Sequence, residues 1–278
     1  MGTISTDRWL QQFILRYREN APIVDKIQLQ LETLIHPLLK TFVNEHPILL
    51  HRSLLENGLF YPDEEIENEV KQMKEANMWK VVQASYLRLK ERWNGPKAKI
   101  ILLPVTRRNE AISKLGNKTG ISYRDKIILF VSSEISKAEL QALLIHEYNH
   151  VCRLQHINKS FKDLTLLDSL VIEGLAEAAV EEILGKDYIA IWTKLYQKED
   201  IRTLWETYFH ETISLKGKEN HSPYLFGSRQ IPRWAGYAVG YHMIKEAQNH
   251  NRATVSSFMK KTSEELLKMS HYPTKMNR

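Results

Sequence analysis

The sequence predicts an α+β protein dominated by helices and carrying one small mixed sheet. Apolar residues recur at three- and four-residue spacing over most of the chain, the helical period. Two short runs, AKIILLPV (98–105) and DKIILFVS (125–132), have the isoleucine, leucine and valine content of strands instead. The turn signal NGP at 94–96 separates these runs from what precedes them. With 278 residues, 43% hydrophobic and 26% charged, the chain suffices for one large globular domain or two modest ones.

In chain order, DRWLQQFILRYREN, IVDKIQLQLETLIHPLLKTFV and EEIENEVKQMKEANMWKVVQASYLRLKERW each read as helix, and Pro37 is expected to kink or divide the second. A helical N-terminal region is therefore expected over 1–95, followed by a second domain over 96–278. Between 98 and 132 a sheet of three to five strands is expected. Ser136 and Glu139 form a capping-box pattern that starts a helix running through HEYNH (146–150). Another helix is expected from about Thr165 to Leu184, closed by Gly185. Two or three helices should follow between Asp187 and Ile213. A looser stretch to Pro232, a helix over RWAGYAVGYHMIKEAQN and a last helix over TVSSFMKKTSEELLKM complete the chain.

Composition removes several function classes. No apolar run reaches the roughly 18 residues of a membrane span, and the N-terminus lacks the pattern of a secretory signal. Gly2 and Thr6 fit the loose M-G-x-x-x-[ST] acylation pattern, which six positions often match by accident. Cys152 is the single cysteine, so an intrachain disulfide is impossible and a cytoplasmic setting is expected. The net charge of +6 is spread out, with no basic tract of the nucleic-acid kind. Neither a nucleic-acid nor a membrane partner is expected.

HEYNH carries the chemistry. Residues four apart on a helix lie about 40° from one another, so His146 and His150 present two imidazoles to one ion. Glu147 sits at the edge of that face, placed to take a proton from a metal-bound water. A catalytic zinc normally takes a third protein ligand. His156 has the metzincin spacing, but Arg153 stands where that pattern needs glycine. Without a sharp turn, His156 lies about 240° round the helix from His150. Glu173 is the stronger candidate: it stands among Val171, Ile172, Leu175 and Ala176, where a buried carboxylate is costly unless a cation meets it. Gly174 and Ala176 suit close approach of this helix to the one bearing HEYNH. Glu177, one turn on, could orient a ligand histidine, while Glu181 and Glu182 read as solvent-facing. Asp168 reads as an early-helix acid complementing the dipole. Tyr237 and Tyr241 lie four apart beside Gly236 and Gly240, which suggest close helix packing.

HEYNHVCR, followed by EGLAE and then GYAVGY, resembles the YjaZ-like family of predicted zinc-dependent proteases, a gluzincin-type group. The similarity spans roughly residues 98 to 250. It implies a thermolysin-like core, one Zn2+ per chain held by His146, His150 and Glu173, and Glu147 as general base. The residue at the Glu177 position orients a ligand histidine in thermolysin-like enzymes. A tyrosine donor to the oxyanion is implied, best matched by Tyr237, with Tyr241 and His242 behind it. The strand over 127–132 is expected at the sheet edge, where an extended peptide could add to it. Ile172 replaces the asparagine that aminopeptidases carry before this glutamate, and their exopeptidase signature is absent, so aminopeptidase activity does not follow. The expected function is a zinc metallopeptidase acting on peptide or protein substrates. The alternative is a catalytically silent zinc-binding regulatory or scaffold protein, whose N-terminal helices would serve a partner.

Overall fold

The computed structural model describes residues 2–18 and 23–273. It divides into two compact units, Met1–Glu147 and Tyr148–Arg278. The border falls inside one continuous helix, Lys137–His156.

The first unit opens with α1 (Thr6–Tyr17) and α2 (Ile23–Gln30). A π-helical turn over Leu31–Ile35 leads into α3 (His36–Leu39), which holds Pro37 in its first turn. The expected disturbance at Pro37 thus takes the form of a widened turn just before it, where the ring would otherwise meet the preceding carbonyls. α4 (Pro47–Glu56) is a helix that the periodicity reading passes over. The pattern read as one helix over 64–93 is two, α5 (Glu67–Glu75) and α6 (Met78–Arg92). Between them Asn77 is left-handed, with φ 52°, a conformation asparagine tolerates and most residues do not.

β1 (Lys99–Pro104), the short α7 (Glu110–Ser113), β2 (Lys118–Ser122) and β3 (Lys126–Val131) follow. The sheet order is β1-β3-β2. β1 runs parallel to β3, pairing Lys99 with Lys126, and β2 runs antiparallel to it, pairing Ser122 with Ile127. β3 is therefore central, and the expectation that it forms the edge is corrected. Its residues from Ile127 to Val131 are all buried, as in a strand covered on both faces. KTGIS, half-buried and more polar, takes the edge instead. On the far side of β1, Gly2 and Ile4 hydrogen-bond to Ile100.

Ile101, Leu103, Ile128 and Phe130 point from one sheet face into a core shared with Leu10, Phe13, Leu34, Leu38, Leu54 and Phe60 of the helices. The turn expected at NGP is present, with Asn94 at φ 44°. The boundary drawn there separates no cores, because the apolar helix faces before it and the sheet after it bury one another.

In the second unit α8 (Lys137–His156) ends and α9 (Leu166–Leu184) begins. A 3-10 turn over Ile191–Lys194, α10 (Lys198–Leu204), a π-helical turn over Trp205–Phe209 and α11 (Ser222–Phe226) lead to α12 (Ala235–Asn251). The expected last helix is two, α13 (Val255–Phe258) and α14 (Ser263–Met269), since Thr262 and Glu265 form a fresh capping box between them. No helix among the described residues is long and apolar enough to cross a membrane.

α9 and α12 pack backbone to backbone. A Cβ on Gly174 would run into the Gly240 carbonyl, and one on Gly240 into the Leu170 carbonyl. Gly174 thus lets α9 approach α12. Gly236 likewise lies against Tyr224 and Leu225. Overpacking such a contact costs about 3 kcal/mol when backbone must shift. Gly240→Ala is expected to lose that much unfolding free energy in a denaturant titration. An unchanged midpoint would show that the two helices need no such approach.

Candidate metal centre

α8 is fixed at its start by the expected capping box. The Glu139 amide donates to Ser136 Oγ at 3.2 Å, and the Ser136 amide donates to Glu139 Oε2 at 3.2 Å. Lys118 adds an ion pair to Glu139 at 2.9 Å. The Lys118 ammonium and the Ser136 hydroxyl hold the Glu139 carboxyl below the usual carboxylate range. Two turns further along, one ligand atom each from His146, Glu147 and His150 lies within 4.8 Å of the others. Glu147 is buried and His150 is 9% exposed.

Glu147 is gripped by β2. Ser122 Oγ lies 2.6 Å from its carboxylate Oε2 and 2.7 Å from its backbone carbonyl. Gly120 leaves the room: a Cβ there would collide with the Glu147 carboxyl. Ser122 and Gly120 escape sequence reasoning, because strand KTGIS bears no catalytic signature and its contacts to α8 are long-range.

In the second unit, α9 starts at Thr165, whose hydroxyl accepts from the Asp168 amide while Asp168 accepts from the Thr165 amide. Asp168 also receives Lys159 at 2.7 Å and the Ser263 hydroxyl at 2.6 Å. Burial pushes its carboxyl up, but Lys159, Ser263 and Thr165 together outweigh burial and hold it low. It is a helix-start acid, as expected. Glu173 Oε2 stands 3.5 Å from His150 Nε2, and both side chains are largely covered, 16% and 11% exposed. Two donors bound about 2.05 Å from a tetrahedral ion sit about 3.3 Å apart, so this spacing suits a shared zinc. The donor set, imidazole nitrogens with carboxylate oxygens, is also of the zinc kind. The spacing of His150 and Glu173, and the grouping of His146, Glu147 and His150 on α8, are those of residues that could hold a metal ion.

His156 does not take part in this arrangement. Arg153 is buried and its guanidinium donates to the carbonyls of Met259 and Lys261 and to Ser263 Oγ. That anchoring carries the helix straight through 153 and leaves His156 exposed at its end.

Glu177 is buried, 3% exposed, and accepts the Ala190 amide. Glu181 and Glu182, expected to face solvent, are engaged. Glu181 accepts from the Tyr241 hydroxyl at 2.8 Å and from Lys245 at 2.9 Å. Glu182 accepts the Val255 amide at 2.8 Å. They face inward because α12 covers that side of α9. Burial, then the Glu181 carboxylate, pushes the Tyr241 phenol up, keeping it protonated. Tyr237 is half-buried in an aromatic group, with ring centroids 5.1 Å from Trp192, 5.2 Å from Trp234 and 5.3 Å from Phe226. His242 Nε2 lies 3.3 Å from the Thr193 carbonyl.

A family model described as Predicted Zn-dependent protease (DUF2268) matches residues 78–268, a wider span than the sequence resemblance. The chain is 37% identical over 205 residues to Uncharacterized protein YjaZ of Bacillus subtilis (strain 168), covering 73% of this chain and 78% of that protein. It is 29% identical over 127 residues to Uncharacterized protein YjfC of the same organism, 42% of each. No solved structure matches the chain.

The geometry predicts the consequence of removing the carboxylate donor. Glu173→Ala is expected to weaken zinc binding on the order of 100-fold in a competitive chelator titration, while the protein stays folded. Unchanged affinity would exclude Glu173 from the metal.

Proposed function

The chain belongs to this family of predicted zinc-dependent proteases, and from that premise we propose that it is a gluzincin-type zinc peptidase. The observation that carries the reading is the 3.5 Å approach of Glu173 to His150, on the helix that also bears His146 and Glu147. In this reading His146, His150 and Glu173 hold one zinc, which when bound polarises the scissile carbonyl and acidifies a water. Glu147 is assigned the base rather than a ligand. Its carboxylate is already tied to Ser122, and its position next to His146 turns it about 100° round the helix from that ligand.

Glu147 takes the proton of the attacking water and delivers it to the leaving amine. Glu177, buried one turn beyond Glu173, is assigned the orientation of the metal-binding side chains. The oxyanion donor is assigned to Tyr237. α9 and α12 run in the same direction, with Gly240 on Leu170 and Gly174, Lys245 at Glu181 and Gln248 at Glu182. Tyr241 is already committed to Glu181, so the role falls to Tyr237, one turn before it on α12. An extended peptide or unfolded protein segment is the substrate class, and β2 is the edge to which its backbone would add. A cytoplasmic site of action is part of the same proposal.

The test compares variants of the zinc-loaded chain on labelled denatured casein. Glu147→Gln is expected to keep about one zinc per chain and lose at least about 1,000-fold in turnover. Tyr237→Phe should lose about 100-fold in kcat, whereas Tyr241→Phe should chiefly lower stability. Full activity of Glu147→Gln would overturn the mechanism, and full activity of Tyr237→Phe would remove that tyrosine from it.

A further inference from the structure

Lys118, Gly120 and Ser122 alternate along β2 and therefore share one face of the strand. All three meet α8. Lys118 pairs with Glu139, Gly120 lies against the Glu147 carboxyl, and Ser122 Oγ reaches both the carboxylate and the carbonyl of Glu147. The intervening residues serve the opposite face: Ile121 packs on the core of the first unit, and Thr119 lies beside Gly58. The edge strand is thus fastened on both sides, and its helix-facing side is used up on two acids of a single helix.

We propose that Ser122 is a positioning residue for Glu147, with Gly120 as its steric complement; this rests on the peptidase reading given above. A glutamate on a helix has three side-chain torsions and samples several rotamers unless something holds it. Here a hydroxyl on another element bridges the main chain and the carboxylate of the same residue. That bridge fixes how far Oε2 extends from the helix. The Ser122 hydroxyl has one proton for two oxygens, and the shorter contact is to Oε2, at 2.6 Å against 2.7 Å to the carbonyl. Ser122 thus engages Oε2, while Oε1 is the carboxylate oxygen nearest Gly120. On the other side, the bare backbone of Gly120 closes off the space into which the carboxyl would otherwise swing. An edge strand that binds peptide would by the same contacts hold the base in register with the bound backbone.

Removing a contact that merely ties the fold together would lower stability and leave the balance of kcat and KM alone. Removing a positioning contact lowers kcat, because misplacing a catalytic group by about 1 Å costs about 100-fold. The experiment uses the full zinc-loaded chain and labelled denatured casein, with crystal structures of the wild type and of Ser122→Ala. Ser122→Ala is expected to lose about 10- to 100-fold in kcat with KM and zinc content nearly unchanged, and its Glu147 carboxylate should leave the wild-type position. Ser122→Thr, which restores the hydroxyl, should recover most of the loss, and Gly120→Ala should show a loss of the same kind. Should Ser122→Ala fail to fold, Ser122→Cys, similar in size with a poor donor, makes the same comparison. Wild-type kcat in these variants beside an active wild type overturns the positioning role and leaves the peptidase reading intact. If the wild type itself cleaves nothing, the peptidase reading fails on its own. The crystallographic comparison then decides: a displaced Glu147 carboxylate supports the role, and an unmoved one overturns it.

Discussion

A carboxylate and an imidazole, both largely withdrawn from water, face each other at 3.5 Å in Glu173 and His150. That distance is too long for a good hydrogen bond and close to the spacing of two ligands on one small cation. Burying a carboxylate in the apolar run of α9 is costly, and the cost is met when a cation lies beside it. Glu173, Glu177 and Glu181 recur every fourth residue, so α9 presents a column of acids. Each has its own partner: Lys245 and Tyr241 at Glu181, the Ala190 amide at Glu177 and His150 at Glu173. The pairing at Glu173 involves the second histidine of HEYNH, one turn along α8 from His146.

The rest of the fold holds these groups still. α8 is fastened at its start by Ser136 and Lys118, in its middle by Ser122 and near its end by Arg153. α9 is fastened by the Thr165 cap and along its length by contact with α12, where two glycines remove the side chains that would separate the backbones. Residues on capped, packed helices keep their geometry better than residues on loops.

What the sequence made legible was local. The Ser136–Glu139 box, the Thr165 start and Gly185 stop of α9, and the acid in an apolar row at Glu173 are all readable within one or two turns of chain. The two glycines of α12 announced a close approach, though the sequence could not say that Gly174 of α9 was the partner. Non-local features were hidden. β2 has little intrinsic strand character, and it exists because β3 pairs with it and α8 occupies its Lys118, Gly120 and Ser122 face. The central place of β3 follows from burial on both faces, which an apolar run alone does not distinguish from an edge. Glu181 looked solvent-facing because Tyr241 and Lys245 lie 60 or more residues away in the chain. The turn at 94–96 is real, yet apolar faces on its two sides bury together, so it marks no domain border.

In the proposed site one divalent zinc is shared by two imidazoles of α8 and a carboxylate of α9. Zinc K-edge X-ray absorption on the purified, zinc-loaded chain addresses that directly. A first shell of nitrogen and oxygen at about 2.0–2.1 Å, with outer scattering from two imidazole rings and no sulfur, is expected. A shell containing three imidazoles, none, or a sulfur at about 2.3 Å would contradict it.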